Sequence, residues 1–473
     1  MDQVEIPYLS ATELARLTRR KEVSPVETTR AYLDRIERLD SQLNSYIEVA
    51  IDDAMNSARR LEKQILAGGD TGLLCGVPVA LKDICHVEGW RTTGGSRILR
   101  DNVVDYDSTV AARLRGADAV LLGKLNTTEF ASGETFDFPY GTPRNPWDLS
   151  RSPGASSGGS GAATSAFLCG ASLGGDTGGS IRNPSAYSGI VGLRPTWGRV
   201  SRYGTLGACW SMDTIGPMTR TVEDCALVLQ AIAGRDPHDA YTAKGLVPDY
   251  RQSLDGDIRG LKVALLSELV DPEVIEPEIE EGVRLVAKEL EKLGATVDEV
   301  SIPLLRNSPV IAQTISGAEG AFMQRENLKN RLKEMDFLAR VRSLACTLVP
   351  AQAYHKALRL REAVRSTVLE TLETFDVLIC PSAPTRAVKI PATPNIIQSK
   401  DEVLTKIWGR SRVNAPFNLA GVPALSVPCG FTSDGLPMGL QIVGSPLNEG
   451  IVFKVAHAYE QATPWHTKRP PLA

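Results

Sequence analysis

Residues 152–184 read SPGASSGGSGAATSAFLCGASLGGDTGGSIRNP. From Ser152 to Ser180 this stretch packs nine glycines and seven serines into 29 residues. Gly/Ser richness ordinarily marks a flexible tether. Here the block runs into Gly161-Ala-Ala-Thr-Ser-Ala-Phe167, small residues that read as a close-packed helix, and strand-like stretches lie on either side. A tether has no use for such packing material. The block reads instead as backbone brought close to something.

Outward from it, strands and helices alternate. Gly76-Val-Pro-Val-Ala-Leu-Lys82 places Val77, Val79 and Leu81 at period two, a strand ending on Lys82. Ala119–Leu125, Leu261–Leu266 and Val377–Cys380 are short apolar runs of the buried-strand kind. Ile279, Val283, Val286, Leu290 and Leu293 recur at helical spacing, and Gly294 closes that helix. Ala424–Cys429 and Met438–Val443 flank the turn pair Asp434-Gly435, which predicts a hairpin. At the start, Ser10-Ala-Thr-Glu13 and Ser24-Pro-Val-Glu27 are capping boxes that open helices. With no internal repeat and no separating linker, the pattern predicts one α/β unit over residues 1–473. It comprises a mostly helical layer (1–70), a core region (71–240) and a remainder (241–473). Its frame is a large central mixed β-sheet covered on both faces by α-helices.

Composition bounds the function. Hydrophobic residues at 42% supply a sizeable core, and a net charge of −4 argues against a dedicated nucleic-acid binder. No apolar run approaches the roughly 20 residues of a membrane span, and the N-terminus lacks the basic and apolar regions of a secretory signal. The eight cysteines are dispersed without a CxxC pair, and the five histidines form no HExxH. Neither a disulfide framework nor a metal site is expected, nor any cofactor. The expected compartment is a reducing cytoplasm.

The chemistry-bearing residues are two serines and a lysine. Lys82 ends an apolar strand; a desolvated amine there loses its charge toward neutral pH and becomes a general base. Asp83 lies beside it, but strand alternation points the two side chains apart. Asp176-Thr-Gly-Gly-Ser180 is a sharp turn whose N–H groups could stabilise an oxyanion. A serine hydroxyl needs a partner to take its proton, and Lys82, Ser156 and Ser180 supply the parts. Gly154-Ala-Ser156-Ser-Gly158 also satisfies GxSxG, the nucleophile elbow of α/β-hydrolases. That alternative needs a preceding strand and a histidine such as His457. Nucleotide binding has little support: no GxxxxGK[ST] is present, and Gly159-Ser-Gly161-Ala-Ala-Thr164 misses the third glycine of GxGxxG.

Taken in order, these motifs resemble the amidase signature family of serine hydrolases. The likeness runs through Gly76–Asp83, Gly154–Ser160, Gly175–Pro184, Gly189–Pro195, Gly198–Tyr203, Asp213–Pro217 and Thr219–Asp224, and then Asn418–Pro423 and Gly435–Gly444. It implies the amidase signature fold and a Ser–cis-Ser–Lys triad. Ser180 would be the acyl nucleophile, Ser156, after a cis peptide bond, the bridging serine, and Lys82 the base. The oxyanion hole carries over to the N–H groups of Thr177, Gly178, Gly179 and Ser180. Asn183 is a candidate substrate contact. Trp210 either narrows the acyl pocket or packs in the core.

The activity expected is hydrolysis of a carboxylic amide to an acid and an amine or ammonia. A stand-alone amidase is the main expectation. Its partners would be a small-molecule amide, no nucleic acid directly, no membrane, and at most a second copy of the chain as a homodimer. The alternative from the same resemblance is the glutaminase subunit of a tRNA-dependent amidotransferase. Thr127-Thr-Glu-Phe-Ala-Ser-Gly133, Pro350–Lys356 and Ser411 depart from the pattern usual in that subunit, which weighs against it. A catalytically dead scaffold would have lost a triad residue, and none is lost.

Overall fold

The computed structural model describes residues 5–132, 138–273, 275–391 and 411–472. Among them eleven strands share one sheet: β1 (Tyr46–Val49), β2 (Pro78–Lys82), β3 (Val120–Leu125), β4 (Ala171–Asp176), β5 (Val191–Arg194), β6 (Thr214–Thr219), β7 (Lys262–Leu266), β8 (Thr296–Val300), β9 (Val377–Pro381), β10 (Ala424–Phe431) and β11 (Pro437–Val443). Their spatial order is β1-β3-β2-β4-β6-β5-β10-β11-β9-β7-β8. Pairing is parallel for β3-β2-β4 and for β9-β7-β8, and antiparallel through the middle of the sheet and at the β1 edge. The sheet is therefore mixed, and helices flank both its faces.

The helices are α1 (Ala11–Arg19), α2 (Pro25–Leu43), α3 (Ile51–Leu66), α4 (Thr109–Gly116), α5 (Gly158–Ser165), α6 (Arg182–Ser188), α7 (Val222–Ile232), α8 (Pro277–Lys292), α9 (Ser308–Met323), α10 (Arg325–Asn330), α11 (Phe337–Cys346), α12 (Ala351–Thr374), α13 (Ala415–Ala420) and α14 (Glu449–Ala462). None among the described residues is long and apolar enough to cross a membrane. The predicted caps form with one difference. Ser10 Oγ accepts the Glu13 N–H at 3.1 Å, but the Glu13 carboxylate turns to Arg16 instead of closing the box. Ser24 Oγ accepts from Val26 and Glu27.

The mostly helical layer of residues 1–70 contains a strand the sequence did not announce. β1 pairs with β3 and forms the sheet edge. Four residues are too few to establish a period of two, so its signal was lost between two strong helices. The hairpin at Asp434-Gly435 forms as β10–β11. Strands β2, β3 and β4 are buried along their whole length. Alternation therefore does not place Lys82 on a wet face; it places it inside.

The small-residue helix α5 packs where the glycines allow it. A Cβ on Gly159 would sit 2.5 Å from both the Asn126 nitrogen and the Ser45 carbonyl oxygen, backbone atoms that cannot swing aside. Gly159→Ala is expected to cost about 1–3 kcal/mol of stability, read from the urea midpoint. Gly178→Ala, whose Cβ would meet nothing within 4 Å, is expected to leave that midpoint in place.

Candidate active site

Strands β2 and β4 are parallel neighbours, so their carboxyl ends reach the same edge of the sheet, where open α/β sheets place their ligands. β2 ends on Lys82 and β4 on Asp176. Ser156 and Ser157 stand just before α5, and Ser180 stands between β4 and α6. The long serine–glycine block thus folds back on itself, and its two ends meet beside Lys82.

Lys82 is fully buried. Its Nζ lies 2.6 Å from Ser156 Oγ, 3.0 Å from Ser157 Oγ and 3.5 Å from the Gly175 carbonyl oxygen. Burial pushes its pKa down to about 7; Cys85, Asp213 and Asp176 pull the other way but do not restore the ordinary value. Asp83 takes no part. It pairs with Lys124 at 2.7 Å and accepts the Thr93 N–H, as alternation requires. The peptide bond between Ala155 and Ser156 is cis.

The turn after β4 is built around the buried Asp176 carboxylate. Oδ1 accepts the Gly179 N–H at 2.9 Å and Oδ2 the Ile181 N–H at 3.2 Å. Gly179 has a φ of +113°, and a Cβ there would meet the Asn414 side chain at 2.7 Å, so glycine is required twice over. Arg182 grips both carboxylate oxygens (3.1 and 3.2 Å), Arg194 stands 3.6 Å away, and Asn418 Nδ2 donates at 2.7 Å. Burial raises the Asp176 pKa, yet the two guanidinium charges outweigh it and hold the carboxyl well below the usual range.

The Gly179 N–H already donates to Asp176, whereas its neighbours' amides do not. The amides of Thr177, Gly178 and Ser180 make no hydrogen bond to a described residue, and all three residues line the cavity that holds Ser180. Ser156 lines the same cavity. The Ser180 hydroxyl makes no hydrogen bond to a described residue, and the Ser180 carbonyl accepts the Ser157 N–H at 3.3 Å.

Asn183 also lines the cavity; it is buried, and its Nδ2 has no partner among the described residues. Trp210 is neither in the core nor on this cavity. It is 50% exposed, held at the surface edge-on to Tyr241 and beneath the Arg202 guanidinium. It lines a second cavity, which also touches Lys82 and Thr177. The residues before Gly154 form turns, not a strand, and His457 on α14 does not line the Ser180 cavity, so the nucleophile-elbow alternative lacks both its requirements.

Three contributors escaped the sequence reading. Ser157 gives Lys82 a second hydroxyl. Asp213 fixes the approach to the turn, accepting the N–H groups of Ala208 and Cys209 at 2.8 Å each and the Thr177 hydroxyl. The counter-charges of Asp176 come from Arg182 and Arg194. Only Arg182, six residues from Asp176 within the quoted block, had a visible signal.

The amidase family model matches residues 27–453. The chain is 42% identical over 97% of its length to the A subunit of the glutamyl-tRNA(Gln) amidotransferase of Thermosynechococcus vestitus (strain NIES-2133 / IAM M-273 / BP-1), of which it covers 99%. The crystal structure of the subunit of the same name from Thermotoga maritima superposes with a TM-score of 0.80 at 34% identity, covering 97% of this chain and 96% of that one. A chain of a vestigial protein complex, described as revealing the origins of an s-triazine catabolic enzyme, superposes with a TM-score of 0.89 at 30% identity (96% and 98% covered).

The chain belongs to the amidase signature family. It is a hydrolase that acts on a carboxylic amide through a serine-based mechanism. These comparisons favour the amidotransferase alternative over the stand-alone amidase. They also overturn the expected partners: relatives this similar are, by name, subunits of an enzyme of glutamyl-tRNA(Gln). A chain that meets only a small-molecule amide, touches no nucleic acid and pairs with its own copy is not what they describe. Net charge was a poor guide here, because it describes one chain alone.

Asp176→Asn keeps the shape and removes the charge, leaving Arg182 and Arg194 buried without a counter-ion. The expected cost at pH 7 is about 3–5 kcal/mol, measured by denaturant unfolding. A carboxyl whose pKa is lowered by folding contributes stability above its unfolded value, near 3.9. The gap between the two proteins is therefore expected to close as pH falls below that value.

Proposed function

We propose that this chain is the glutaminase subunit of a tRNA-dependent amidotransferase, releasing ammonia for transfer to a glutamyl group carried on tRNA. The observation that carries this reading is the 42% identity, over nearly the whole of both chains, to the A subunit of such an enzyme. The geometry at Lys82 supports the chemistry. A neutral amine 2.6 Å from Ser156 can draw the proton from that hydroxyl, which in turn takes the proton of Ser180. Ser180 Oγ then attacks the amide carbon, and the carbonyl electrons move to oxygen, facing the N–H groups of Thr177, Gly178 and Ser180. Collapse expels the amine as ammonia, with the proton returned from Lys82 through Ser156. Water, activated by the same relay, cleaves the acyl-enzyme and restores Ser180. Asn183 Nδ2 is a donor for the substrate within the same cavity.

We take the chain to act as one catalytic unit, and its compartment to be the cytoplasm, where the eight free thiols would stay reduced. The deciding experiment is affinity purification of the tagged chain from its source cells. Stoichiometric recovery of a tRNA-binding partner chain, with glutaminase activity that depends on it, is expected. Full glutaminase activity from the chain alone would sink the reading.

Two variants test the site itself. Ser180→Ala is expected to lower kcat by several orders of magnitude, since triad members act as a unit. Lys82 must be neutral to act, so kcat/KM is expected to rise with pH through about 7 and level off above it. Lys82→Arg, which keeps its proton throughout, is expected to abolish that limb along with the activity.

A further inference from the structure

Between β5 and β6, Ala208-Cys209-Trp210-Ser211 runs with neither helix nor strand to hold it. Its placement matters, because Ala208 lines both the Ser180 cavity and the second cavity that touches Lys82. Two carboxylates do the holding. Asp213 Oδ2 accepts the Ala208 and Cys209 N–H groups at 2.8 Å each. Glu319 of α9 takes the other end: its Oε2 accepts the Ser211 N–H at 2.9 Å and the Cys209 thiol at 3.1 Å. Its Oε1 accepts the Tyr354 hydroxyl of α12 at 3.1 Å. Arg361, also of α12, donates to the Ser211 carbonyl at 3.0 Å. The helix and the segment touch closely, since a Cβ on Gly320 would stand 3.1 Å from the Ala208 carbonyl oxygen. The three donors to Glu319 are all neutral, so its charge is directed at this segment and at Tyr354. A charged acceptor holds an N–H about twice as strongly as a neutral one. Asp213 in turn accepts the Thr177 hydroxyl through Oδ1. A continuous chain of contacts therefore runs from Glu319 to Thr177, whose own amide lies at the Ser180 cavity.

We infer that Glu319 is a positioning residue for the reaction at Ser180: by gripping Cys209 and Ser211 it fixes Asp213, and Asp213 aims the Thr177 amide at the developing oxyanion. An irregular segment has no ladder of its own to set a direction to a fraction of an ångström, and a carboxylate at each end supplies one. A donor aimed at charge that appears only in the transition state acts on rate and leaves ground-state binding almost untouched. Glu319 itself touches neither substrate nor reacting atoms; it works through Asp213. The inference rests on the reading of Ser180 as the nucleophile and holds whichever amide the enzyme takes.

The test is the rate at which an alkyl fluorophosphonate labels Ser180 in the full chain, together with any partner chains that purify with it, followed by intact mass. Ser180 Oγ bonds to phosphorus, fluoride leaves, and the hydroxyl proton passes to Ser156 and Lys82. Negative charge gathers on the phosphoryl oxygen, which stands where the carbonyl oxygen would. Varying the probe concentration separates the maximal rate constant from the half-saturating concentration. The final extent of labelling counts the folded chains, so a variant that folds poorly lowers the extent and not the rate constant. Removing an oxyanion donor outright costs about 100- to 1,000-fold. Glu319→Gln, which misaims one donor, is expected to lower the maximal rate about tenfold and to leave the half-saturating concentration within about twofold. Thr177→Val cuts the link to Asp213 but keeps the amide, and is expected to do the same. The double variant is expected to lose little more than either single one, because both break one chain of contacts. An unchanged maximal rate in Glu319→Gln, an effect confined to the half-saturating concentration, or losses that multiply in the double variant overturns the inference. No labelling of Ser180 in the parent would defeat the reading of Ser180, and the inference with it.

Discussion

A carboxylate with almost no access to water organises this molecule. Asp176 ends a central strand, and its charge must be balanced where solvent cannot help. The balance comes from Arg182 on α6 and Arg194 on β5, with Asn418 of α13 completing the shell. Arg182 reaches on to Gln441 of β11, and Gln441 Nε2 in turn donates to the Pro381 and Val413 carbonyls. One ionised group thereby fastens distant segments to the turn that carries Ser180. The same carboxylate takes the Gly179 and Ile181 amides, so it sets the direction in which the neighbouring amides point.

Lys82 follows the opposite logic one strand away. It too is buried, but its neighbours are hydroxyls and a carbonyl, with no carboxylate in contact. Desolvation is therefore left largely unopposed and carries the amine toward neutrality. Both groups on these adjacent parallel strands have lowered pKa values, which fixes one in its charged form and eases the other out of it. The difference lies in the company each group keeps, since both are equally dry.

Much of this was legible in the sequence. Hydrophobic period gave β2, β3, β7 and β9 and the helix after β7 to within a residue or two, because each is a run long enough to declare itself. The Gly/Ser block was readable as site wall because a helix of small residues followed it. β1 was not, being short and lodged between helices. The exposure of Trp210 was not legible, because sequence does not determine whether a large ring turns inward. The resemblance carried the amides of Thr177 to Ser180 over together, whereas which of them is already bonded depends on where Asp176 points. Arg194 and Asp213 lie within stretches that carry the resemblance, but their contacts to the turn after β4 become visible only once the chain is folded.

The wiring of Asp176 has a bearing on synthesis. The chain emerges from its N-terminus, and early parts can begin to fold before later ones exist. Lys82, Ser156 and Ser180 are made well before Asn418 and Gln441, which steady Arg182. A nascent chain can hold Lys82, Ser156 and Ser180 and still lack the frame that aligns them. A chain that stopped before Asn418 would carry Lys82, Ser156 and Ser180 while Arg182 and Asp176 lacked two of their buried partners.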